Sequence, residues 1–267
     1  MSKTVSPNEV LYHIGLSKEM IEGAEYVLLP GDPHRSESLA KAFDPNAKFL
    51  ADSREHISYL ADFHGQKVLV CSSGLGGPNI GITVEELAMI GLKYFLRVGT
   101  SGAIQSPIEL GDVVISTAAV RLEGTSRDFA PIEYPSVSSF EFTHDMVEGA
   151  KAAQAPHHIG ITASTDTFWQ GQERYDSHTG YLLRRQRGAM DEWRALNVMN
   201  FEMEAATLFV MCSTMKLHAA CICGIIARRV ESEKVSVAAK TGTAKNHWEK
   251  TAVQGIYHSM KRRKLMK

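Results

Sequence analysis

The chain has 267 residues, of which 44% are hydrophobic and 22% charged, proportions that are ordinary for a globular protein and unlike those of a disordered one. This length is enough to bury a sizeable core. The formal net charge of −1 gives no electrostatic basis for binding DNA or an anionic membrane, so neither class of partner is expected.

Residues 1–8 lack the apolar core of a signal peptide, and no apolar run has the length needed to span a bilayer. The cysteines lie in apolar neighbourhoods without the spacing of a zinc site, so we expect reduced core thiols and a cytoplasmic location. They are Cys71, Cys212, Cys221 and Cys223. The basic run at 261–267 is predicted to be a solvated helix end rather than an arm for nucleic acid.

Apolar strand patterns alternate with helical patterns along most of the chain. The predicted strands are 26–30, 58–63, 67–72, 94–98, 112–120, 158–165 and 220–227. The predicted helices are 78–91, 203–216 and a third from about residue 245 onward. This alternation favours one α/β domain over 1–267 with a mixed or mostly parallel sheet. The polar segments 121–140 and 165–190 are predicted to be functional loops.

Two segments place an arginine beside a glycine turn at the end of an apolar run: 31–35, with Arg35, and 97–103, with Arg97. Glycine lets backbone N–H groups approach an anion closely, and the planar guanidinium matches phosphate oxygens. The pair predicts a site for a small free oxyanion, with Arg54 as a third candidate. For any one of these arginines alone, a surface salt bridge is the simpler interpretation, and the sequence does not show that they converge.

The glycine-rich segment 74–79 follows the predicted strand 67–72, but it does not match the dinucleotide-binding fingerprint at its last position. We therefore interpret it as a tight strand-to-helix turn whose backbone lines a ligand pocket.

Two further segments carry side chains suited to an organic ligand. Phe168 and Trp169 can stack on a flat ring, and Gln172 and Arg174 can hydrogen-bond adjacent carbonyl and N–H groups of a heterocycle. An aromatic-anchored surface loop explains the same residues equally well.

The segment 202–204 begins a predicted helix with Glu202, Met203 and Glu204. Glutamates at this position are often only capping residues or partners of the helix dipole. A carboxylate there can also accept two hydrogen bonds from a vicinal diol such as that of ribose, with the methionine packed on the sugar.

Taken together, five ordered motifs resemble the nucleoside phosphorylase family that cleaves with inorganic phosphate. They lie at 30–35, 74–78, 97–103, 171–176 and 202–204, and the resemblance extends from 12–16 to 224–229. It implies a three-layer α/β/α sandwich around a central mixed sheet. It also implies a hexamer, a trimer of dimers with shared active sites.

The resemblance implies reversible conversion of uridine and phosphate to uracil and ribose 1-phosphate in pyrimidine salvage and catabolism, with deoxyuridine and thymidine as further candidate substrates. No cofactor is required, because phosphate is the co-substrate. Phosphate is assigned to Gly31, Arg35, Arg54, Arg97 and Thr100, with Arg54 from a neighbouring subunit. Ribose is assigned to Glu202, Met203, Glu204 and, from the neighbour, His13. Uracil is assigned to Phe168, Gln172 and Arg174.

The catalytic residues implied by the resemblance are Arg97, Gln172, Arg174 and Glu204. Purine-specific relatives have an aspartate within the segment that corresponds to 225–230, where this chain has arginines and no acid. Hydrolytic relatives do not need the arginine clamp. These features favour a pyrimidine substrate and phosphorolysis. The alternative enzyme is a purine or broad-range nucleoside phosphorylase. The alternative from another class of protein is a non-catalytic binding protein with the same fold.

Some positions depart from the family pattern. Trp169 and Gln170 stand where Tyr and Pro are more usual, and Arg228 replaces an Asn. The part 231–236 of the expected lid, 228–240, matches poorly. Relatives hold a monovalent cation such as K⁺ at the equivalents of Glu55 and Asn79, and because Asn79 replaces a serine this site is left open.

Overall fold

The computed structural model describes residues 5–230, 232, 234–236 and 245–266, without the side chains of 245 and 246. The strands are β1 Tyr26–Leu29, β2 Lys48–Ser53, β3 His56–Phe63, β4 Gln66–Cys71, β5 Tyr94–Ala103, β6 Val113–Leu122, β7 His157–Thr165, β8 Val198–Glu202 and β9 His218–Arg228. The α-helices are α1 Ser36–Phe43, α2 Gly76–Ile90, α3 Phe140–Ala152, α4 Ala189–Ala195, α5 Ala205–Thr214 and α6 Lys245–Arg262. Residues 231, 233 and 237–240 of the predicted lid lie outside the described residues.

The nine strands form one continuous sheet in the order β2-β3-β4-β1-β5-β8-β7-β6-β9. Because β5 also pairs with β9, the last five strands of this order close into a ring. The ring combines parallel pairs, such as β5 with β9, and antiparallel pairs, such as β5 with β8. The predicted mixed sheet and single domain are confirmed. The predicted three-layer α/β/α sandwich is not confirmed. A sandwich of that kind has an open central sheet, whereas five strands of this sheet close into a ring.

Helices cover both faces of the sheet near β1, whose residues are all buried. Val27 and Leu29 point into one core cluster, which includes residues of α2 and α5. Tyr26 and Leu28 point into the other, which includes residues of α1, α3 and α6. Successive strand residues face opposite sides, so a strand buried on both faces is apolar throughout.

The helix predicted at 78–91 is α2, which ends at Gly91 in the left-handed conformation, with φ of 116°. Helices α1, α3 and α4 were missed, and β2 and β8 are not among the predicted strands. Helices α1 and α4 have only eight and seven residues and α3 is rich in polar residues, so packing against the rest of the chain supports their helical form. β2 is an edge strand whose residues are all at least partly exposed.

The basic run at 261–267 contains the predicted helix end, and Lys261, Arg262 and Lys264 are exposed, but two of its arginines also form ion pairs with the rest of the chain. Arg262 pairs with Asp145 of α3 at 2.8 Å, and Arg263 pairs with Glu25 at 2.6 Å. The Arg263 guanidinium also lies 4.2 Å from the ring centroid of Tyr94. These contacts attach the end of α6 to the sheet and to α3, so the two arginines stabilise the tertiary structure.

The four cysteines are buried and free, as predicted, and burial raises the pKa of the Cys71 thiol to about 12. Within the described residues, no helix has the length and apolar character required to cross a membrane.

Helix α6 packs against the ring through Trp248, whose side chain is fully buried. Its indole lies directly over Gly224 of β9, where a Cβ atom would come within 1.9 Å of Cε3. Glycine at this position is therefore required by the close approach of the indole to the strand.

We expect Gly224→Ala to lower the free energy of unfolding by about 1–3 kcal/mol, because the added methyl group overpacks the core against Trp248. Urea denaturation measures the change. In a Trp248→Leu background the same substitution should cost clearly less, since the smaller side chain leaves room for the methyl group. Equal costs in the two backgrounds would contradict this account of the contact.

Candidate active site

A cavity of about 690 Å³ lies beside β5 and is bordered by the segments that follow the C-terminal ends of β1, β7 and β8. Most of the residues singled out in the sequence line it: Gly31, Arg35, Arg97, Thr100, Phe168, Gln172, Arg174, Glu202, Met203 and Glu204. The turn that contains Gly74 also lines it, as predicted for the glycine-rich segment. The tertiary structure thus brings together groups that are far apart in the sequence.

Arg97, on β5, is 4% exposed and lies at the centre of the charged wall of the cavity. Its Nε donates to Glu202 Oε2 at 2.9 Å, and its Nη2 pairs with Glu204 Oε2. The guanidinium folds back over Gly99, where a Cβ atom would be 2.8 Å from Nη2. Nη1 is buried and has no hydrogen-bond partner among the described residues.

Arg35 lines the same cavity and is also buried, at 8% exposed. Its Nη2 has no hydrogen-bond partner within the described part of the chain. Burial lowers the pKa of Arg35, and the nearby charge of Arg97 lowers it further, although an arginine stays protonated at neutral pH. Buried donors are normally paired, so two guanidinium donors without a partner among the described residues suit an anionic ligand in this cavity.

Glu204 lies between the arginine and the first turn of α2. Its Oε1 accepts a hydrogen bond from the Gly76 backbone N–H at 2.6 Å, while Oε2 pairs with Arg97. Burial raises the pKa of the Glu204 carboxyl; Arg97 opposes the increase, and Glu202 adds to it. Met203, which is only partly buried, lines the cavity next to this carboxylate. An acceptor beside an apolar side chain suits a sugar.

The aromatic and amide groups lie on the loop that follows β7. The Arg174 guanidinium is 4.2 Å from the ring centroid of Phe168, and Gln172 donates to Thr165 Oγ1 at 3.3 Å. Gln172 and Arg174 are 3% and 2% exposed. Trp169 is 47% exposed and is not among the residues of the cavity wall. The structure therefore places Phe168, Gln172 and Arg174 in the wall of a ligand pocket, whereas Trp169 lies at the surface.

Glu173 was missed in the sequence, although it holds this loop in place. Its carboxylate accepts hydrogen bonds from the backbone of Gly188 and, at 2.6 Å, of Met190, at the start of α4. Arg229, which directly follows β9, donates to the Glu173 carbonyl at 3.3 Å. No local pattern distinguishes such a buried anchor from a surface glutamate. The other predicted functional loop, 121–140, contributes no residue to the cavity wall.

Arg54 and His13 lie outside this cavity, on one surface patch of the chain. Arg54 donates to the Tyr12 hydroxyl at 3.0 Å, and His13 Nδ1 is 2.6 Å from Glu86 Oε1. A hydrogen bond of 2.8 Å from Ser53 Oγ to the His13 carbonyl joins the two segments. A single chain therefore does not deliver these two residues to its own cavity.

Glu55 and Asn79, the residues of the expected cation site, both line the cavity beside Gly74. A Cβ atom on Gly74 would be 2.5 Å from Asn79 Nδ2 and 2.8 Å from Glu55 Cγ. Within the described residues, no three His, Cys, Asp or Glu side chains group together as metal ligands would.

The chain belongs to the phosphorylase superfamily, whose family model matches residues 25–254. It is 49% identical over 223 residues to a uridine phosphorylase of Salmonella typhimurium, covering 84% of this chain and 88% of that protein. It is 44% identical to a uridine phosphorylase of Thermococcus kodakarensis, with 83% and 79% coverage. A guanosine phosphorylase of Halorubrum lacusprofundi is 34% identical, with 75% and 77% coverage.

We expect Arg35→Ala to weaken the binding of inorganic phosphate about 10- to 100-fold, because it removes a buried donor to a charged ligand. Isothermal titration calorimetry with phosphate measures the change. Arg185→Ala, at an exposed arginine outside the cavity, serves as the matched control and should bind as the unchanged protein does. Equal affinities for all three proteins would contradict the anion site.

Proposed function

We propose that this protein catalyses the reversible phosphorolysis of uridine to uracil and ribose 1-phosphate, in the salvage and catabolism of pyrimidine nucleosides. The observation that carries the proposal is the cavity itself. One wall has arginine donors that lack a partner among the described residues and suit an anion, and the next has a carboxylate and a methionine that suit a sugar. A third group combines a ring, an amide and an arginine for a base. The relatives named uridine phosphorylase support the same reaction.

The proposed reaction needs no covalent intermediate with the protein. A phosphate oxygen attacks C1′ of the ribose as the bond from C1′ to the base nitrogen breaks, and the base leaves with the electron pair. Arg35 and Arg97 hold the phosphate against the oxocarbenium-like sugar, and Glu204 accepts hydrogen bonds from the ribose hydroxyls. Arg174 stabilises the negative charge that develops on uracil, which then takes a proton from solvent. Positioning and electrostatic stabilisation supply the rate.

A pyrimidine is preferred over a purine as the base. Segment 225–230 offers no carboxylic acid that could protonate a purine ring. Arg228 instead pairs with Glu109 at 2.9 Å, and Arg229 hydrogen-bonds the loop that carries Gln172 and Arg174. Phosphorolysis of a purine nucleoside is the second candidate function, because the chain is also similar to a guanosine phosphorylase. Its identity to that protein is lower than its identity to the uridine phosphorylases.

The reaction is tested by measuring base release from uridine, deoxyuridine, thymidine and inosine with and without phosphate. We expect phosphate-dependent release of uracil from uridine and little hypoxanthine from inosine. Arg97→Ala should raise the phosphate KM and lower kcat by orders of magnitude, since it removes charge-assisted contacts to the reacting anion. Equal release without phosphate would exclude phosphorolysis, and a strong preference for inosine would favour the purine alternative.

We further propose that the active site is shared between two subunits, within a hexamer built as a trimer of dimers. The placement of Arg54 and His13 on one patch outside their own cavity supports this arrangement, because one neighbouring site could then receive both. Tyr12 in this patch is 75% exposed, which leaves an aromatic surface for a second copy to cover.

The shared site is tested by co-expressing equal amounts of Arg54→Ala and Arg174→Ala, each of which we expect to be nearly inactive alone. A mixed dimer then has one site with both defects and one intact site. Half of the dimers are mixed, so about a quarter of the unmodified activity should return. Activity no greater than the average of the two variants would show that each chain completes its own site.

A structural K⁺ ion and a cytoplasmic location are also part of the proposal. Glu55 and Asn79 would each contribute an oxygen to the ion, and a partner subunit would supply others, since hard cations take several oxygen ligands. The four free, buried cysteines support a reducing compartment.

A further inference from the structure

The Glu202 carboxylate, which the family resemblance assigns to the ribose, accepts four hydrogen bonds from groups of the protein. Its Oε2 accepts hydrogen bonds from Arg97 Nε at 2.9 Å and from the backbone N–H groups of Glu204 and Ala205 at 2.8 and 2.9 Å. Its Oε1 accepts one from Ser164 Oγ. Oε2 thus accepts three hydrogen bonds and Oε1 one, so four donors of the protein already hold this carboxylate, which is 3% exposed.

Ser164 lies directly opposite Glu202 in the parallel pairing of β7 and β8 and is fully buried. Its hydroxyl donates to Glu202 and accepts a hydrogen bond of 2.9 Å from the backbone N–H of Ala206. Ser164 is thereby held by the first turn of α5 while it holds the carboxylate. Ser164 and Ala206 are not among the residues of the cavity wall, whereas Glu202 is.

The two glutamates determine the direction in which Arg97 presents its remaining donor. Glu202 takes Nε and Glu204 takes Nη2, which leaves Nη1 as the nitrogen without a partner among the described residues. Because the guanidinium is planar and rigid, fixing two of its nitrogens fixes the direction of the third.

We propose that Ser164 and Glu202 are positioning residues for phosphate: Ser164 orients Glu202, and Glu202 orients Arg97 so that Nη1 faces the anion. This assignment rests on the proposed function, but it gives Glu202 a role with phosphate rather than with ribose. Glu202 then acts only through Arg97, and Glu204 keeps the contact to the sugar.

Glu202→Gln tests the assignment, because the amide has the same shape and can accept at only one of its two heavy atoms. We expect the Kd for phosphate, measured by calorimetry without nucleoside, to rise about 10- to 100-fold. The Kd for uridine, measured without phosphate, should stay near the unmodified value. Weaker uridine binding with unchanged phosphate binding would overturn the proposal and return Glu202 to the ribose site.

Ser164→Ala provides a second and milder test. We expect the phosphate Kd to rise about fivefold, as for the loss of one hydrogen bond. Ser116→Ala on the adjacent strand β6 is the matched control, because this hydroxyl is buried and has no hydrogen-bond partner in the described part of the chain. Equal phosphate affinities for the Ser164 and Ser116 variants would contradict a role for Ser164.

A double-variant cycle shows whether Glu202 acts through Arg97. In an Arg97→Lys background, where the Nε–H and the planar fork are absent, Glu202→Gln should cause little further loss of phosphate affinity. A full additional loss would overturn the proposal. Phosphate affinity is measured separately from turnover, so the two proposals can fail independently. A protein that binds phosphate but releases no uracil from uridine would contradict the proposed function, while the roles of Ser164 and Glu202 in phosphate binding could still be tested.

Discussion

Three buried charges, those of Arg97, Glu202 and Glu204, form the interaction on which the rest of the site depends. Their side chains are 4%, 3% and 1% exposed. Removing ionised groups from water is costly, and apolar residues of the same volume commonly pack with equal or greater stability. The structure offsets this cost with backbone N–H donors at the N-terminal ends of α2 and α5, where the helix dipoles favour carboxylates. The proposed chemistry gives a reason for keeping three charges at a place where apolar residues could also pack.

The closed ring of strands determines which groups reach this cluster. In β5, Arg97 pairs in register with Leu29 of β1 on one side and with Cys221 of β9 on the other. The Cys221 and Cys223 sulfur atoms are 3.7 Å apart and lie on the face of β9 that belongs to an apolar core cluster. These cysteines are thus packing residues behind the arginine, which is why their spacing does not correspond to a metal site.

The two ends of the cavity are built differently. The residues proposed to bind phosphate and ribose lie on strands, at strand ends or in tight turns, so the sheet defines their positions. The residues proposed to bind the base lie on the loop after β7, which is anchored by Glu173 to the start of α4 and by Arg229 to the segment that directly follows β9. Loops vary more readily than the elements that they connect. A family with uridine and guanosine phosphorylases among its members fits a scaffold that keeps the phosphate site and varies the base loop.

Local sequence was sufficient for features whose physics is local. The glycine turns near Arg35 and Arg97 and the limits of α2 were predictable, because turn geometry, helix ends and apolar periodicity depend on neighbouring residues. The inward contacts of Arg262 and Arg263 were not, since a charged residue at a helix end has the same local pattern whether it is solvated or paired.

Only the tertiary structure decided the convergence of the site and the contacts of Glu202. Those depend on the closure of β5 onto β9 and on the register of β7 with β8, which join strands far apart in the chain. Such pairings follow from the packing of the whole core, and no local pattern encodes them. The sequence therefore identified the side chains suited to phosphate, sugar and base, while the fold determined which of them face the cavity and which hold the others in place.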